Sequence, residues 1–143
     1  MQLSIVDTAS GGLAQSVPKV PRFDPNPQLK YHMENLPIYD HKESILDTIR
    51  SNQVTIVSGE TGSGKTTQVP QYLLSQSRSL GQPVKIVCTE PRRIAAISVS
   101  ERVALETATK FGDLIGYQVR LESCTSPYTL LTFCTNGVLL RYL

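Results

Sequence analysis

Apolar residues become frequent and periodic only from Leu36 onward. Ile45, Leu46 and Ile49 fall at helical spacing, which predicts a helix over 41–51 that stops at Asn52. The β-branched run Val54-Thr55-Ile56-Val57 is short and unbroken, the pattern of a buried strand. A glycine-rich stretch follows. A second helix is predicted from Lys65, with Val69, Tyr72, Leu73 and Leu80 on one side. Pro70 lies too deep for a free first-turn position, so a kink or early irregularity is expected there. Gly81-Gln82-Pro83 reads as a turn and 84–88 as the next strand. A helix from Pro91 to about Thr107 has Ala96, Val99 and Val103 as its buried stripe. Residues 115–121 and 129–133 read as two more strands, and a last helix starts near Asn136 with Val138, Leu139 and Leu140.

Strands that alternate with helices predict an α/β fold, a parallel sheet covered on both faces. The last helix has no C-terminal cap within the chain, so a truncated domain over 37–143 is expected, with an apolar sheet edge left unpaired. Such a chain would be marginally stable or prone to aggregate. Residues 1–36 differ. Pro18, Pro21, Pro25 and Pro27 interrupt helices and Gly11-Gly12 loosens what precedes them. A solvated, partly extended arm is expected, or a partner-binding segment for which no specific feature speaks.

Composition narrows the classes. At 143 residues the chain holds one domain at most, and 40% hydrophobic with 18% charged residues suits a globular protein. A net charge of +2 gives no global field, so any nucleic-acid binding must come from a local cluster. No apolar run reaches the length of a membrane span, and the first residues lack the pattern of a secretory signal. Cys88, Cys124 and Cys134 include no C-x-x-C pair, which argues against zinc and a disulfide framework. Cysteines used as small hydrophobes suit a reducing compartment, the cytoplasm or the nucleus.

The chemistry begins at Gly59-Glu60-Thr61-Gly62-Ser63-Gly64-Lys65-Thr66, which matches G-x-x-x-x-G-K-[ST] in full. Polyphosphate carries dense negative charge and must be met without crowding. Glycines let a backbone curl and turn its N–H groups inward, and a following helix aims its positive end at the same spot. Lys65 supplies a point charge, Thr66 a hydroxyl for Mg2+, and Ser63 a further hydrogen bond. ATP is the expected ligand. The bland reading is a glycine-rich turn with an adventitious lysine; the flanking strand-like and helix-like patterns argue against it.

This loop alone does not separate kinases, transporter ATPases and helicases. Two further runs do: Thr89-Glu90-Pro91-Arg92-Arg93-Ile94-Ala95-Ala96 after the second strand and Thr135-Asn136-Gly137-Val138-Leu139-Leu140-Arg141 after the fourth. With the loop continued through Thr67-Gln68, these resemble motifs I, Ia and Ib of the DEAH-box (DExH) RNA helicases. Gly116-Tyr117-Gln118-Val119-Arg120 and Leu36-Pro37-Ile38-Tyr39 resemble that family too, and the likeness covers about 36–143 in the family's order. Within it, the stretch from Leu121 to Gly137 is most similar to the YTH-domain-containing branch. The resemblance implies an incomplete RecA-like P-loop NTPase domain, with ATP hydrolysis coupled to movement on single-stranded RNA, usually 3′ to 5′. It implies that Gly59 to Thr67 hold the nucleotide, that Lys65 and Thr66 act in catalysis, and that Arg102 stacks on the base. It also implies RNA contacts from Thr89, Arg92, Arg93, Thr135, Asn136 and Gly137.

Each assignment has a plainer competitor. Pro91-Arg92-Arg93 alone would be a solvated loop, and Arg93 suits a structural salt bridge as well as RNA. Arg102 could pair with Glu101 or Glu106, and Arg141 is expected to pair within the fold. Thr135-Asn136-Gly137 could be a helix cap. Glu90 stands where the family usually has glutamine, and a carboxylate there would repel RNA phosphate. No D-E-x-H run follows the last motif, so the carboxylates that complete metal binding and catalysis lie outside this sequence. The competing function is a non-catalytic product that binds RNA or a partner through the half-lobe.

Overall fold

The computed structural model describes residues 2–5 and 18–141. In chain order it holds β1 (Gln2–Ile5), α1 (Pro27–Glu34), a 3-10 turn (Tyr39–His41), α2 (Lys42–Ser51), α3 (Lys65–Ser79), β2 (Ile86–Glu90), α4 (Arg93–Glu106), β3 (Ile115–Val119), β4 (Glu122–Cys124), β5 (Leu131–Thr135) and α5 (Asn136–Leu139). The strands form one sheet in the order β1-β2-β5-β3-β4. Its centre is parallel: Ile86 stands abreast of Leu131, and Leu131 abreast of Ile115. Both outer strands, β1 beside β2 and β4 beside β3, are antiparallel. The expected α/β architecture is thus present, as part of a RecA-like sheet.

One fully buried rung, Ile86, Leu131 and Ile115, crosses the three central strands, with Cys88 beside Phe133 one pleat along. Each large side chain removed from water here contributes about 1.5–3 kcal/mol. Helix α4 covers β2, β3 and β5, while α3 packs on β2 and α4. Ala96, Ser100, Val103 and Ala104 form the covered side of α4, so small residues let helix and sheet approach closely. Gly116 has a similar role, since a Cβ there would run into the Cys124 carbonyl.

The hydrophobic pattern found the elements better than their limits. Strands β2 and β5 lie two residues later than predicted, and β3 ends at Val119 before a turn. The helix after Pro91 starts at Arg93. Leu80 caps α3 in the open, and Leu74 is buried in its place. Pro70 leaves no break: α3 runs from Lys65 to Ser79 with Pro70 buried inside it. The last helix is assigned only to Leu139; residues 142–143 lie outside the described residues.

Two expectations are overturned. Val54-Thr55-Ile56-Val57 is not a strand, and Val54 and Ile56 are 78% and 90% exposed. A strand needs a hydrogen-bonding edge, and the edge of β2 that faces away from β5 is taken by β1. The lead segment, as far as it is described from residue 18, is anchored to the fold and not a free arm, although α1 buries none of its residues. Val20 is buried, Arg78 donates to the Phe23 carbonyl at 2.6 Å, and the Asn26 amide donates to the Glu106 carbonyl at 2.8 Å. Pro27 opens α1 because its missing N–H costs nothing in a first turn, and the Asn26 side chain accepts from Gln28 N. Residues 6–17 lie outside the described residues.

Candidate functional site

The head of α3 is built by backbone geometry. Gly64 caps the helix at φ +95°, and Gly62 stands at φ +84°. A side chain at Gly64 would be strained and would also meet Ile38 Cγ2 and Leu36 Cδ1 at 3.0 Å. The buried Ile38 donates its amide to the Ser63 carbonyl at 3.2 Å. The lead-in Leu36-Pro37-Ile38 therefore buttresses the loop from beneath.

Lys65 turns its ammonium back across the loop. It donates to the carbonyls of Gly59 and Glu60 at 2.6 and 2.7 Å and to Ser63 Oγ at 3.1 Å. A Cβ added at Gly59 would lie 3.6 Å from that nitrogen, so the bare glycine keeps the hollow beside the charge open. Thr67 Oγ1 donates to the Gly64 carbonyl at 3.3 Å. Glu60 and Thr61 are exposed, and Thr66 is half-buried in the first turn. A cavity of about 560 Å³ opens along this loop, walled on its other side by His41, Ser44 and Thr48. The structure thus brings Gly59 to Lys65 together around one hollow. Free N–H groups at a helix head, a lysine and two left-handed glycines make an anion cradle. Among the described residues no cluster of three or more His, Cys, Asp and Glu could hold a metal, so Thr66 stands alone as a candidate ligand.

Arg102 does not line that cavity. Its Nε donates to Glu106 Oε1 at 2.7 Å, one turn along α4. Of the two partners the sequence offered, Glu106 is the one used. Glu106 Oε2 also accepts from Gln68 Nε2 at 2.8 Å and Gln71 Nε2 at 2.7 Å, both on α3. Gln68 Nε2 donates to Thr67 Oγ1 at 3.1 Å as well. Glu106, Gln68 and Gln71 were missed as site residues. The signal available was a pair of glutamines three apart, embedded in the apolar stripe of α3, facing an acid four residues after Arg102.

The second group gathers at the C-terminal ends of β2 and β5. Thr89 stands abreast of Cys134 and Glu90 abreast of Thr135, so α4 and α5 begin side by side. Arg92, Arg93, Asn136 and Gly137 are exposed there, Thr135 is half-buried, and Thr89 is 4% exposed. Arg93 Nη2 lies 3.3 Å from Glu122 Oε2 in a surface ion pair. Thr135 holds the N-cap position of α5, but its hydroxyl makes no capping bond. The expected partner of Arg141 is not found: it forms no ion pair among the described residues, and it lines a second cleft of about 430 Å³ with Arg120 and Leu121. Among the described residues Glu90 Oε1 is buried without a hydrogen-bond partner, and desolvation raises the carboxyl above its ordinary range. The cysteines are free, and burial pushes the Cys88 thiol up, away from thiolate chemistry.

Comparison with known proteins fits this geometry. No protein-family model matches the chain. It is 51% identical over 117 residues, 80% of its length, to the Arabidopsis thaliana DExH-box ATP-dependent RNA helicase DExH1. It is 54% identical over 112 residues to DExH3 and 54% over 109 residues to DExH6 of the same plant, both carrying the same description. Those alignments take in 77% and 76% of the chain. The chain spans only 12%, 9% and 8% of the length of these three relatives. With a motif I loop folded at the head of α3 and identities above one half across most of its length, the chain belongs to the DExH-box (DEAH-box) helicase family.

Proposed function

We propose that this chain is the nucleotide-binding part of an ATP-dependent RNA helicase. It takes ATP on Gly59 to Thr67 and contacts single-stranded RNA at the starts of α4 and α5. The carrying observation is the head of α3, where Gly64 in a left-handed cap and Lys65 held over the loop form a cradle for polyphosphate. Lys65 meets the outer phosphates. Thr66 would hold Mg2+ entering with the nucleotide, and the ion would supply neutralising charge to the phosphates. Arg102 presents a planar guanidinium to the base, a contact tolerant of base identity. Arg92, Arg93, Thr135, Asn136 and Gly137 address the sugar-phosphate chain, with Thr89 packed behind them; such contacts ignore sequence, as movement along RNA requires. The cytoplasm or nucleus, where thiols stay reduced, is the compartment we assign.

The test is ATP binding by calorimetry with and without Lys65→Ala. The expected result is loss of binding in the variant and, in the longer protein, loss of turnover. Unchanged affinity and turnover in Lys65→Ala would sink the reading.

A further inference from the structure

Among the described residues Glu106 is the only buried charged one, with a side chain 2% exposed. Taking a carboxylate out of water costs several kcal/mol unless its lone pairs are met. Here they are met from two helices. Arg102 Nε reaches Oε1 from α4 itself, and Gln68 and Gln71 reach Oε2 from the first two turns of α3. Those turns carry the phosphate loop at their head. An unbroken path therefore runs from Arg102 through Glu106 and Gln68 to Thr67.

An apolar pair would join two helices as well, often with greater stability. What a carboxylate adds is direction. Glu106 grips the guanidinium by its Nε edge, which turns the Nη edge and the flat face of Arg102 away from the contact. That side chain stays 39% exposed, so a surface for a planar ligand remains. We infer that Glu106 is a positioning residue for nucleotide recognition: it fixes the Arg102 plane to α3, so that base contact and phosphate cradle form one rigid unit. This rests on the reading of Arg102 as the base contact.

The experiment uses the 143-residue chain and two probes, ATP and inorganic tripolyphosphate, which lacks a base. Affinities are measured for wild type, Lys65→Ala, Arg102→Ala, Glu106→Gln and the double variant Arg102→Ala/Glu106→Gln. Lys65→Ala should lose both probes. Arg102→Ala and Glu106→Gln should each weaken ATP about three- to tenfold, the worth of one planar cation contact, and spare tripolyphosphate. The double variant should be no weaker than Arg102→Ala, since Glu106 acts through it. A folding defect lowers both affinities alike, so their ratio reports positioning alone. Should Glu106→Gln fail to fold, Glu106→Asp, which keeps the charge but shortens the reach, is read in the same way. If Arg102→Ala lowers the ratio and the Glu106 variants do not, this inference fails and the base-contact reading stands. If Arg102→Ala leaves the ratio unchanged, or if wild type binds neither probe, the reading beneath it fails and the inference with it.

Discussion

Helices α3 and α5 both offer free N–H groups at their starts, yet their first turns are made differently. At α3 a left-handed glycine is wedged against Leu36 and Ile38, a lysine is held by three oxygens, and a buried acid pins the second turn. At α5 the threonine cap is unbonded, Asn136 and Gly137 are exposed, and a Cβ at Gly137 would meet nothing within 4 Å. The first start is shaped before any ligand arrives. The second is an open shelf, which on the proposed reading leaves its ligand free to move. A fixed cradle suits a compact polyphosphate that must be held still for chemistry, and a shelf suits a chain that must pass.

The contrast breaks most visibly at the glycines. Gly64→Ala adds about 1–2 kcal/mol of left-handed strain and about 1–3 kcal/mol of overpacking against Ile38 and Leu36. Calorimetry should therefore show at least about a tenfold loss of ATP affinity. Gly137→Ala should leave the melting temperature unchanged or slightly raised, since alanine favours a helix and nothing stands in its way. Equal losses at the two glycines would erase the distinction.

Ion pairs should divide in the same way. Arg102→Ala leaves the buried Glu106 carboxylate its two glutamine donors but no cation, and the cost should stay at or below the low end of about 3–5 kcal/mol for breaking buried pairs, because Arg102 itself is partly exposed. Arg93→Ala breaks a surface pair and should cost no more than about 1 kcal/mol. Urea denaturation of both variants measures the gap.

Glu90 sharpens the picture of the shelf. Desolvation raises its folded pKa above the unfolded value. The folded state therefore binds the proton more tightly, and stability rises as pH falls through the folded pKa toward the unfolded one. Above the folded pKa the charge on this half-buried carboxylate is a cost. Glu90→Gln removes the charge, so it should raise stability at neutral pH and flatten the acid limb of the stability profile. A variant less stable at pH 7 would show that the carboxylate has a partner.

The smallest effect is expected at Arg92. Arg92→Ala should weaken single-stranded RNA of every sequence alike and reduce the salt slope by about 0.7, one phosphate contact. Fluorescence anisotropy across a salt series reads it. A changed sequence preference with the slope intact would contradict a backbone grip.

The phosphate loop was legible because its chemistry is local: spacing, glycines and lysine lie in one run of eight residues. The helices were legible from Ile45, Leu46, Val69, Leu73 and Ala96, whose period needs no partner. What stayed hidden depends on distant residues. Val54 to Val57 and Val84 to Cys88 both read as strands, but only the second, two residues along at Ile86–Glu90, finds β5 alongside. The chemistry of Glu106 was invisible, because its amide partners lie 35 and 38 residues away. Arg102 carried both a ligand role and a salt bridge in the sequence, and the fold supplies the salt bridge while leaving a face open.

The strand order bears on how the chain is made. Strand β5 stands between β2 and β3, and neither of those bonds to the other. During synthesis, which runs at about 5–20 residues per second, β2 leaves the ribosome after its antiparallel neighbour β1 but well before its parallel one, for Ile86 waits for Leu131. Helices α2 and α3 and the β3–β4 hairpin close over short distances and can form early. The sheet cannot grow beyond the β1–β2 pair until its central strand appears, so for some seconds the side of β2 that later meets β5 stays open on a growing chain.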